Sequence, residues 1–427
     1  MSQRPGTISR SLAIVTVASA VETIVGPGFP IAFRAYDGSS LGPPDAPTTL
    51  VVRSPDAIRR ILTAPGELGL GRAYVAGDLD VEGDLFFGLG ALRDRIPTLG
   101  PSQLAQSAGL VGLKGLRPLP PPPEEARLHG RRHSKERDAA AIAHHYDVSN
   151  AFYRLVLGPS MTYSCAVWPS VDTTLEEAQA AKYELICRKL DLREGSRLLD
   201  VGCGWGAMAM HAAREHGAHA VGVTLSRAQA EWAQKAVAES GLADRVEIRF
   251  QDYRDVVDGP FEAISSIGMF EHVGLKNLGM YFDRLFSLLR PGGRLLNHGI
   301  ARPARPGRMR TPARIRRRSF IDRYVFPDGE LHELGAVVSR MQASGFEVRH
   351  VEGLREHYAL TLRAWVSNLE RSWDACVAEA GEARARIWRL YMAVSAVNFE
   401  AGRTQIHQVL AMKDDDGVSG LPLRPWF

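Results

Sequence analysis

The chain has 427 residues, of which 45% are hydrophobic and 23% are charged. These values are typical of a soluble globular protein, and the length suffices for two or three domains. The four cysteines (Cys165, Cys187, Cys203 and Cys376) form no C-x-x-C pair, so their spacing indicates neither a zinc site nor a disulfide framework. We therefore expect no metal and a reducing compartment.

The N-terminal part of the chain carries one apolar run, at residues 12–25. Thr16, Ser19, Glu22 and Thr23 interrupt this run, and it is shorter than the roughly 20 residues that span a bilayer. It also lacks the charged-then-apolar order of a signal peptide. The run therefore predicts an amphipathic helix of a folded domain.

The segments that follow this helix predict a small α+β domain. Strand-like stretches at 29–36 and 48–52 precede a helical stretch at 55–63. A glycine-rich stretch at 69–83 completes the unit. We expect this domain to cover residues 1–115.

A composition change marks the end of the first domain. Residues 118–123 contain five prolines, which favour a stiff extended spacer, and residues 129–137 are basic and unpatterned. We therefore predict a linker at 116–138, with the domain boundary near residue 125. The second domain is expected at 139–427.

The second domain shows the alternation of a parallel, doubly wound α/β sheet. Helical stretches of ten or more residues separate five strand-like runs, and such a sheet binds its ligand at the carboxyl ends of the strands. Segments 346–351 and 404–412 are expected to add an antiparallel edge pair. The helical region 358–401 is expected to divide into two helices near Gly381. The five runs are 197–201, 220–223, 246–250, 263–267 and 294–298.

A glycine-rich turn follows the first of these strands. Gly202, Gly204 and Gly206 alternate there, so the backbone can adopt positive φ and come close to a ligand. The helix that follows points its free N–H groups and positive dipole end at the same place, which suits a carboxylate. The spacing differs from the dinucleotide pattern G-x-G-x-x-G. The segment is similar to the first motif of class I S-adenosylmethionine methyltransferases, with a nucleotide site or a structural turn as alternatives.

Five motifs together resemble the cyclopropane fatty acid synthase family. They are the glycine-rich stretch 71–83, HYDVSNAFY at 145–153, SMTYSCA at 160–166, GVTLSRAQ at 222–229 and FEHVG at 270–274. They occur in the family's order. The resemblance implies a class I (Rossmann-like) methyltransferase sheet with a smaller N-terminal α+β domain and a helical acyl-binding insertion. It also implies methyl transfer from S-adenosylmethionine to the cis double bond of an unsaturated phospholipid acyl chain.

The same resemblance implies two sets of site residues. The cofactor would contact Tyr163, Ser164, Asp200, Gly202, Gly204, Gly206, Thr224, Leu225, Gln229, Asp252 and Tyr253. A bound bicarbonate, acting as the base, would be held by Cys165, Glu271, His298, Ile300 and Tyr391. Read from the residues alone, Asp252 is also compatible with a surface turn, and Cys165 and His298 with the core.

The family chemistry leaves the product open. A secondary carbocation in a dry, aromatic pocket can lose a methyl proton and close a cyclopropane. After a hydride shift it can instead yield an exocyclic methylene, which a reductase partner would convert to a methyl branch, and hydration would yield an alcohol. Residues 392–398 depart from many family members, which carry a cysteine there. The aromatic stripe of Trp365, Leu369 and Trp373 suits either a core or the wall of an acyl tunnel.

Basic residues are concentrated in one window that contains no acidic residue, although the formal net charge is only +4. We expect this window to dock anionic phospholipid headgroups, which predicts a cytoplasmic protein bound peripherally to the inner membrane face. The FEHVG segment stands where an RNA or other amine methyltransferase would carry an Asn/Asp-Pro-Pro-Tyr motif, so no nucleic acid partner is expected. Intact Cys165, Glu271 and His298 argue against an inactive lipid-binding protein, and a homodimer is left open. The basic residues are Arg302, Arg305, Arg308, Arg310, Arg314, Arg316, Arg317 and Arg318.

Overall fold

The computed structural model describes residues 16–93, 117–126, 130, 137, 148–304 and 319–424. The chain separates into two compact units, residues 1–123 and 124–427. This division lies inside the stretch that we predicted as a linker. Part of that stretch belongs to the second unit, because Ala126 N donates to Arg323 O and Arg137 pairs with Asp328.

The first unit is a small α+β fold, as predicted. Its mixed sheet has the order β2-β1-β3-β4. The predicted segments 48–52 and 55–63 are a strand and a helix with those bounds, and Thr16 caps the predicted first helix. The elements are α1 (Val17–Val25), β1 (Ala32–Ala35), β2 (Ser40–Leu41), β3 (Thr48–Val52), α2 (Pro55–Thr63), α3 (Glu67–Val75), β4 (Leu79–Gly83) and α4 (Leu85–Arg93).

The second unit is built on a seven-stranded sheet of order β10-β11-β9-β8-β5-β6-β7. The five predicted runs pair in parallel as β9, β8, β5, β6 and β7, which confirms the doubly wound α/β fold. Their carboxyl ends therefore meet at one edge of the sheet. The strands are β5 (Arg197–Val201), β6 (His219–Thr224), β7 (Val246–Phe250), β8 (Phe261–Ile267), β9 (Leu289–Ala301), β10 (Phe346–Gly353) and β11 (Gln405–Lys413).

The two late strands form an antiparallel pair at the edge of the sheet. The last strand, β11, is inserted between β9 and β10 and is antiparallel to both. The chain therefore forms the edge strand β10 first, continues through the helical region, and then adds β11 as the second strand from that edge. As a consequence, β11 contributes side chains next to the end of β9.

Helices cover both faces of this sheet. One core packs α6, α7 and α8 against the sheet, and the other packs α9 and α11 against its opposite face. The helices are α5 (Asn150–Leu157), α6 (Leu175–Leu190), α7 (Ala207–His216), α8 (Arg227–Glu239), α9 (Leu278–Leu288), α10 (Phe320–Tyr324), α11 (Leu334–Ala343), α12 (Arg355–Arg371), α13 (Trp373–Ala380) and α14 (Glu382–Glu400).

The helical region contains three helices where we predicted two. Gly381 ends α13 with a φ of 80°, at the predicted break. A second break lies at Ser372, whose φ of −109° and ψ of 25° leave the helical range. The break moves Trp373 into another helix, so it does not continue the stripe of Trp365 and Leu369 on α12.

Within the described ranges, no helix combines the length and the apolar character that a membrane span requires. Two sequence predictions fall outside those ranges: most of the arginine window, residues 305–318, and the first three residues of the motif at 145–153.

Candidate active site

The glycine turn is open towards a cavity at the carboxyl end of β5. Gly202 and Gly204 have φ values of 77° and 55°, which favour glycine. A Cβ placed on Gly204 would meet no protein atom closer than Gln229 Nε2 at 4.0 Å. Trp205 Nε1 donates to Asn150 Oδ1 at 2.9 Å and thereby ties α5 to the turn. The turn therefore offers bare backbone to a ligand at the start of α7.

Most of the residues that the resemblance assigned to the cofactor line this cavity. Its lining includes nine of them: Tyr163, Ser164, Asp200, Gly202, Gly204, Thr224, Leu225, Gln229 and Tyr253. Thr224 Oγ1 donates to Gln229 Oε1 at 2.9 Å, which fixes two of these side chains together. The structure thus brings residues from β5, β6 and the segment before α6 around one space.

Two predicted cofactor residues are placed differently. A Cβ on Gly206 would lie 3.2 Å from Ala233 and 3.4 Å from Ile248, so this glycine lets α7 pack closely against its neighbours. Asp252 is buried, and its carboxylate accepts hydrogen bonds from Arg254 at 2.8 and 2.5 Å. Neither residue is part of the cavity lining, and Asp252 is held by protein partners.

A buried lysine that the sequence analysis missed also lines the cavity. Lys182 is fully buried, and its Nζ donates to Ser164 Oγ at 2.8 Å. Burial lowers the pKa of this amine to about 7. Burial also raises the pKa of Asp200, which accepts from Ser265 Oγ at 2.7 Å, to about 6. An amine and a carboxyl that both titrate near neutrality therefore share this space.

Glu271 lies in a short 3₁₀ turn, Phe270–His272, directly after β8. Its Oε1 accepts a hydrogen bond from Ile300 N on β9 at 2.7 Å. Its other carboxyl oxygen, Oε2, is buried and has no hydrogen-bond partner among the described residues. Because burial outweighs the bond from Ile300, the pKa of Glu271 is raised to about 7.

His298 lies two residues before Ile300 on β9, and its side chain therefore points to the same face of the strand. The side chain is buried, and within the part of the chain that the structure describes Nε2 has no hydrogen-bond partner. Burial and the nearby charges of Lys182 and Lys189 hold its pKa well below the usual range. His298 is therefore neutral at neutral pH.

Tyr391 and Cys165 complete the predicted set. Tyr163 OH donates to Tyr391 OH at 3.2 Å, and burial raises the pKa of Tyr391 to about 12, with the charge of Glu271 adding to this effect. The Cys165 thiol lies 3.2 Å from Ala166 O and 3.7 Å from Leu354 O. Burial raises the thiol pKa, so Cys165 remains protonated and unreactive.

Aromatic side chains surround the hydroxyl groups of Tyr163 and Tyr391. The Tyr163 ring stacks on Trp365 with centroids 5.3 Å apart and lies 5.5 Å from Trp388. Trp388 and Phe326 in turn pack against Tyr391 at 5.9 and 5.7 Å. Tyr163 also lines the cofactor cavity. An aromatic, largely apolar wall therefore adjoins the cavity, and Trp365 and Trp388 are buried within it.

Folding also forms a cluster that the cysteine spacing did not indicate. One potential ligand atom from each of Cys187, His211 and His216 lies within 4.8 Å of the others. Glu184 Oε2 accepts from His216 Nε2 at 2.9 Å. Burial raises the pKa of the Cys187 thiol, which disfavours the thiolate that a metal would need. We therefore assign no role to this cluster.

The family model described as mycolic acid cyclopropane synthetase matches residues 133–409. The chain belongs to this family. The match spans the glycine turn, Glu271, His298 and Tyr391, so the resemblance drawn from the motifs is confirmed. The cyclopropane synthase family comprises lipid methyltransferases that depend on S-adenosylmethionine, and this protein is one of them.

Individual relatives agree with this placement. The chain is 49% identical to a probable fatty acid methyltransferase of Mycobacterium tuberculosis, over 97% of this chain and 98% of that protein. It is 34% identical to the cyclopropane-fatty-acyl-phospholipid synthase of Escherichia coli, over 86% and 88% of the two chains. A crystal structure of mycolic acid cyclopropane synthase CmaA1 in complex with SAH and CTAB superposes with a TM-score of 0.61 and 35% identity, over 64% of this chain and 98% of that one.

Proposed function

We propose that this cyclopropane synthase family member alkylates the cis double bond of an unsaturated acyl chain in a phospholipid, with bicarbonate as the base. The observation that carries this proposal is a pair of buried polar atoms without partners. Glu271 Oε2 and His298 Nε2 lie on side chains that flank Ile300, beside an aromatic wall. Buried polar groups without partners are rare, which indicates that a small polar ligand satisfies them.

The cavity at the glycine turn fits the methyl donor. Gly204 leaves the backbone open to the methionine end, whose carboxylate would lie at the start of α7, and Gly202 also lines the cavity. Thr224 and Gln229 would contact the ribose. Tyr253, which lines the cavity, would lie on the adenine side, while Tyr163 and Ser164 would close the cavity from the segment before α6.

The second set fits a small planar anion. His298 Nε2 and the Tyr391 hydroxyl, which already accepts the proton of Tyr163, can each donate a hydrogen bond. Glu271, with a pKa near 7, can also donate when it is protonated. Cys165, whose buried thiol lies near Ala166 O and Leu354 O, would be the fifth member of this set. The group would be bicarbonate, which supplies the proton acceptor, while S-adenosylmethionine supplies the methyl group.

The residues of the chain would position the reactants and keep water away from the reacting carbon atoms. Tyr163, backed by the buried rings of Trp365 and Trp388, would exclude water and stabilise a carbocation by a cation–π contact. The alkene π electrons form a bond to the methyl carbon while the carbon–sulfur bond breaks, which leaves a secondary cation on the acyl chain. Loss of one proton from the new methyl group then closes the cyclopropane ring, and that proton leaves with the base.

The exomethylene product is the second candidate. It needs a hydride shift before the same methyl proton is lost, and it becomes a mid-chain methyl branch only if a reductase partner adds a hydride and a proton. The relative with 49% identity is named for fatty acid methyl transfer and not for ring formation, which favours keeping this candidate. Hydration of the cation to an alcohol is the third outcome.

The proposal places the protein at the inner face of the membrane. The arginine window would hold anionic headgroups by reversible, salt-sensitive attraction while an acyl chain enters the site. Arg302, the described member of the window, is exposed and pairs with Glu333 at 3.0 Å. A peripheral protein of this kind binds lipid without a spanning helix.

The test is to incubate the protein with oleoyl phospholipid vesicles and S-adenosylmethionine that carries a trideuterated methyl group. Mass spectrometry of the acyl chains counts the deuterium retained: two atoms for the ring or the methylene, three for the alcohol. Gas chromatography against standards separates the ring from the methylene. Lipid without label would refute the proposed function, and turnover that is unchanged after removal of bicarbonate would refute the assignment of the base.

A further inference from the structure

Three adjacent strands place a row of polar side chains next to the anion site. In the register of the sheet, His298 on β9 is opposite Gln408 on β11, and Gln408 is opposite Glu352 on β10. Directly opposite residues project to the same face of a sheet. His298 and Gln408 are both buried. The row therefore leads from a buried histidine to the edge of the sheet.

A lysine from the covering helix joins this row. Lys189, near the end of α6, is fully buried. Its Nζ donates to Gln408 Oε1 at 2.7 Å and also pairs with Glu352. Glu352 therefore compensates the charge of the ammonium group.

The lysine determines how the Gln408 amide is oriented. An ammonium group can only donate hydrogen bonds, so the amide must turn its oxygen towards Lys189. The amide nitrogen then faces His298 Nδ1, at 3.4 Å. The opposite orientation would set two donors against each other in a buried site, which is costly.

The histidine tautomer follows from this orientation. The amide nitrogen of Gln408 donates, so Nδ1 must accept and cannot carry a proton. A neutral imidazole carries its single proton on the other nitrogen, and Nε2 is the atom that is buried without a partner. The orientation of Gln408 thus makes Nε2 the ring nitrogen that carries the proton and can donate it.

We propose that Lys189 and Gln408 are positioning residues that lock His298 in the Nε2–H tautomer, so that it donates to an oxygen of the bound anion. The role of this donor rests on the proposed function, whereas the tautomer itself does not. The positive charges of Lys182, Lys189 and protonated His407 repel a proton on His298 and therefore disfavour its imidazolium form. This tautomer lock, by which we mean the effect of Lys189 and Gln408 on His298, therefore acts on a neutral imidazole.

The test is nitrogen NMR of protein labelled with ¹⁵N-histidine, recorded without bicarbonate. The variant His298→Ala identifies the His298 signals by difference. We expect a protonated Nε2 and an unprotonated Nδ1 in the wild type. In Gln408→Glu the new carboxylate is an acceptor, so the proton should move to Nδ1. Gln342→Glu, at an exposed position on α11, is the control and should leave the pattern unchanged.

Two results would overturn the lock: a wild-type His298 protonated on Nδ1 or on both nitrogens, and an unchanged tautomer in Gln408→Glu. Lys189→Met provides a second variant, since loss of the ammonium frees the amide to rotate and should produce a mixture of tautomers. Binding of S-adenosylhomocysteine with wild-type affinity verifies that each variant is folded.

Turnover distinguishes the lock from the proposed function. Gln408→Glu should lower turnover about a hundredfold, as expected when a positioned proton-transfer assembly is lost. If wild-type turnover does not depend on bicarbonate, the proposed base is wrong, while the spectra still decide the tautomer. If Gln408→Glu moves the proton and retains full turnover, the lock has no part in catalysis and the proposal fails.

Discussion

Replacing Glu271 by glutamine removes an ionisable group while preserving the shape of the side chain. The amide oxygen can still accept the hydrogen bond from Ile300 N, which Oε1 accepts at 2.7 Å in the wild type. Only the second carboxyl oxygen, the one without a partner, changes to an amide nitrogen. Glu271→Gln therefore isolates the cost of holding a carboxyl group in a buried site.

The size of this cost follows from the pKa. Burial raises the pKa of Glu271 from its ordinary value of 4.5 to about 7. At a pH between these two pKa values, the unfolded chain has released the proton and the folded chain retains it. The free energy of unfolding therefore falls as the pH rises. The free energy of unfolding decreases by about 1.4 kcal/mol for each pH unit in this range. The total decrease is about 1 kcal/mol at pH 5 and about 3 kcal/mol at pH 8.

Glu271→Gln does not pay this cost and should be more stable than the wild type at pH 8. The advantage should be about 2 kcal/mol larger at pH 8 than at pH 5, as measured by urea unfolding without ligands. Glu239→Gln is the matched control, because its side chain is 66% exposed and pairs with the similarly exposed Lys235 at 3.7 Å. A difference between the wild type and Glu271→Gln that is equal at both pH values would refute the assignment of a buried, unsatisfied carboxyl group.

The same change tests the site. Glu271→Gln should bind S-adenosylhomocysteine with nearly wild-type affinity and lose turnover roughly a hundredfold, because an amide, unlike the carboxyl group, cannot exchange a proton with the bound anion. Gly204→Ala should weaken S-adenosylhomocysteine binding at least about tenfold by calorimetry, since its Cβ would project into open cavity space and alanine is strained at a φ of 55°; unchanged affinity would contradict the placement of the cofactor. Replacing Arg314, Arg316, Arg317 and Arg318 by serine should weaken binding to anionic vesicles at low salt, by about 1 kcal/mol for each arginine near the surface; equal sedimentation of mutant and wild type with vesicles would exclude the docking role.

The parallel strands themselves could be predicted because the signal is local. The runs 197–201 and 246–250 are both strands with the predicted bounds. A helix follows the first run, but only the three-residue 3₁₀ turn Tyr253–Asp255 separates the second run from β8, where we expected a helix. The place of β11 had no such signal. Which strand lies beside β9 depends on how α12 to α14 return the chain to the sheet, and that return is a property of long-range packing.

The assignment of site residues shows the same limit. The family resemblance named Glu271 and His298, but the sequence analysis missed Lys182 and Lys189. One signal for both was present, since Ala178, Lys182, Ile186 and Lys189 recur at helical spacing along the buried face of α6. A lysine on an apolar stripe is expected to have a buried partner. The partners themselves, Ser164 and Gln408, are distant in sequence and could not be inferred from the stripe.

The protonation of His298 depends on residues that are distant from it in sequence. A motif can place a histidine beside Glu271, yet it cannot say which ring nitrogen carries the proton, because the partner of Nδ1 comes from another strand. The register of β9 with β11 brings Gln408 opposite His298, and a helix residue, Lys189, orients the amide. A substitution that preserved every motif but exchanged the donor at position 408 for an acceptor would therefore reverse the polarity of the site while leaving the family's sequence signature intact.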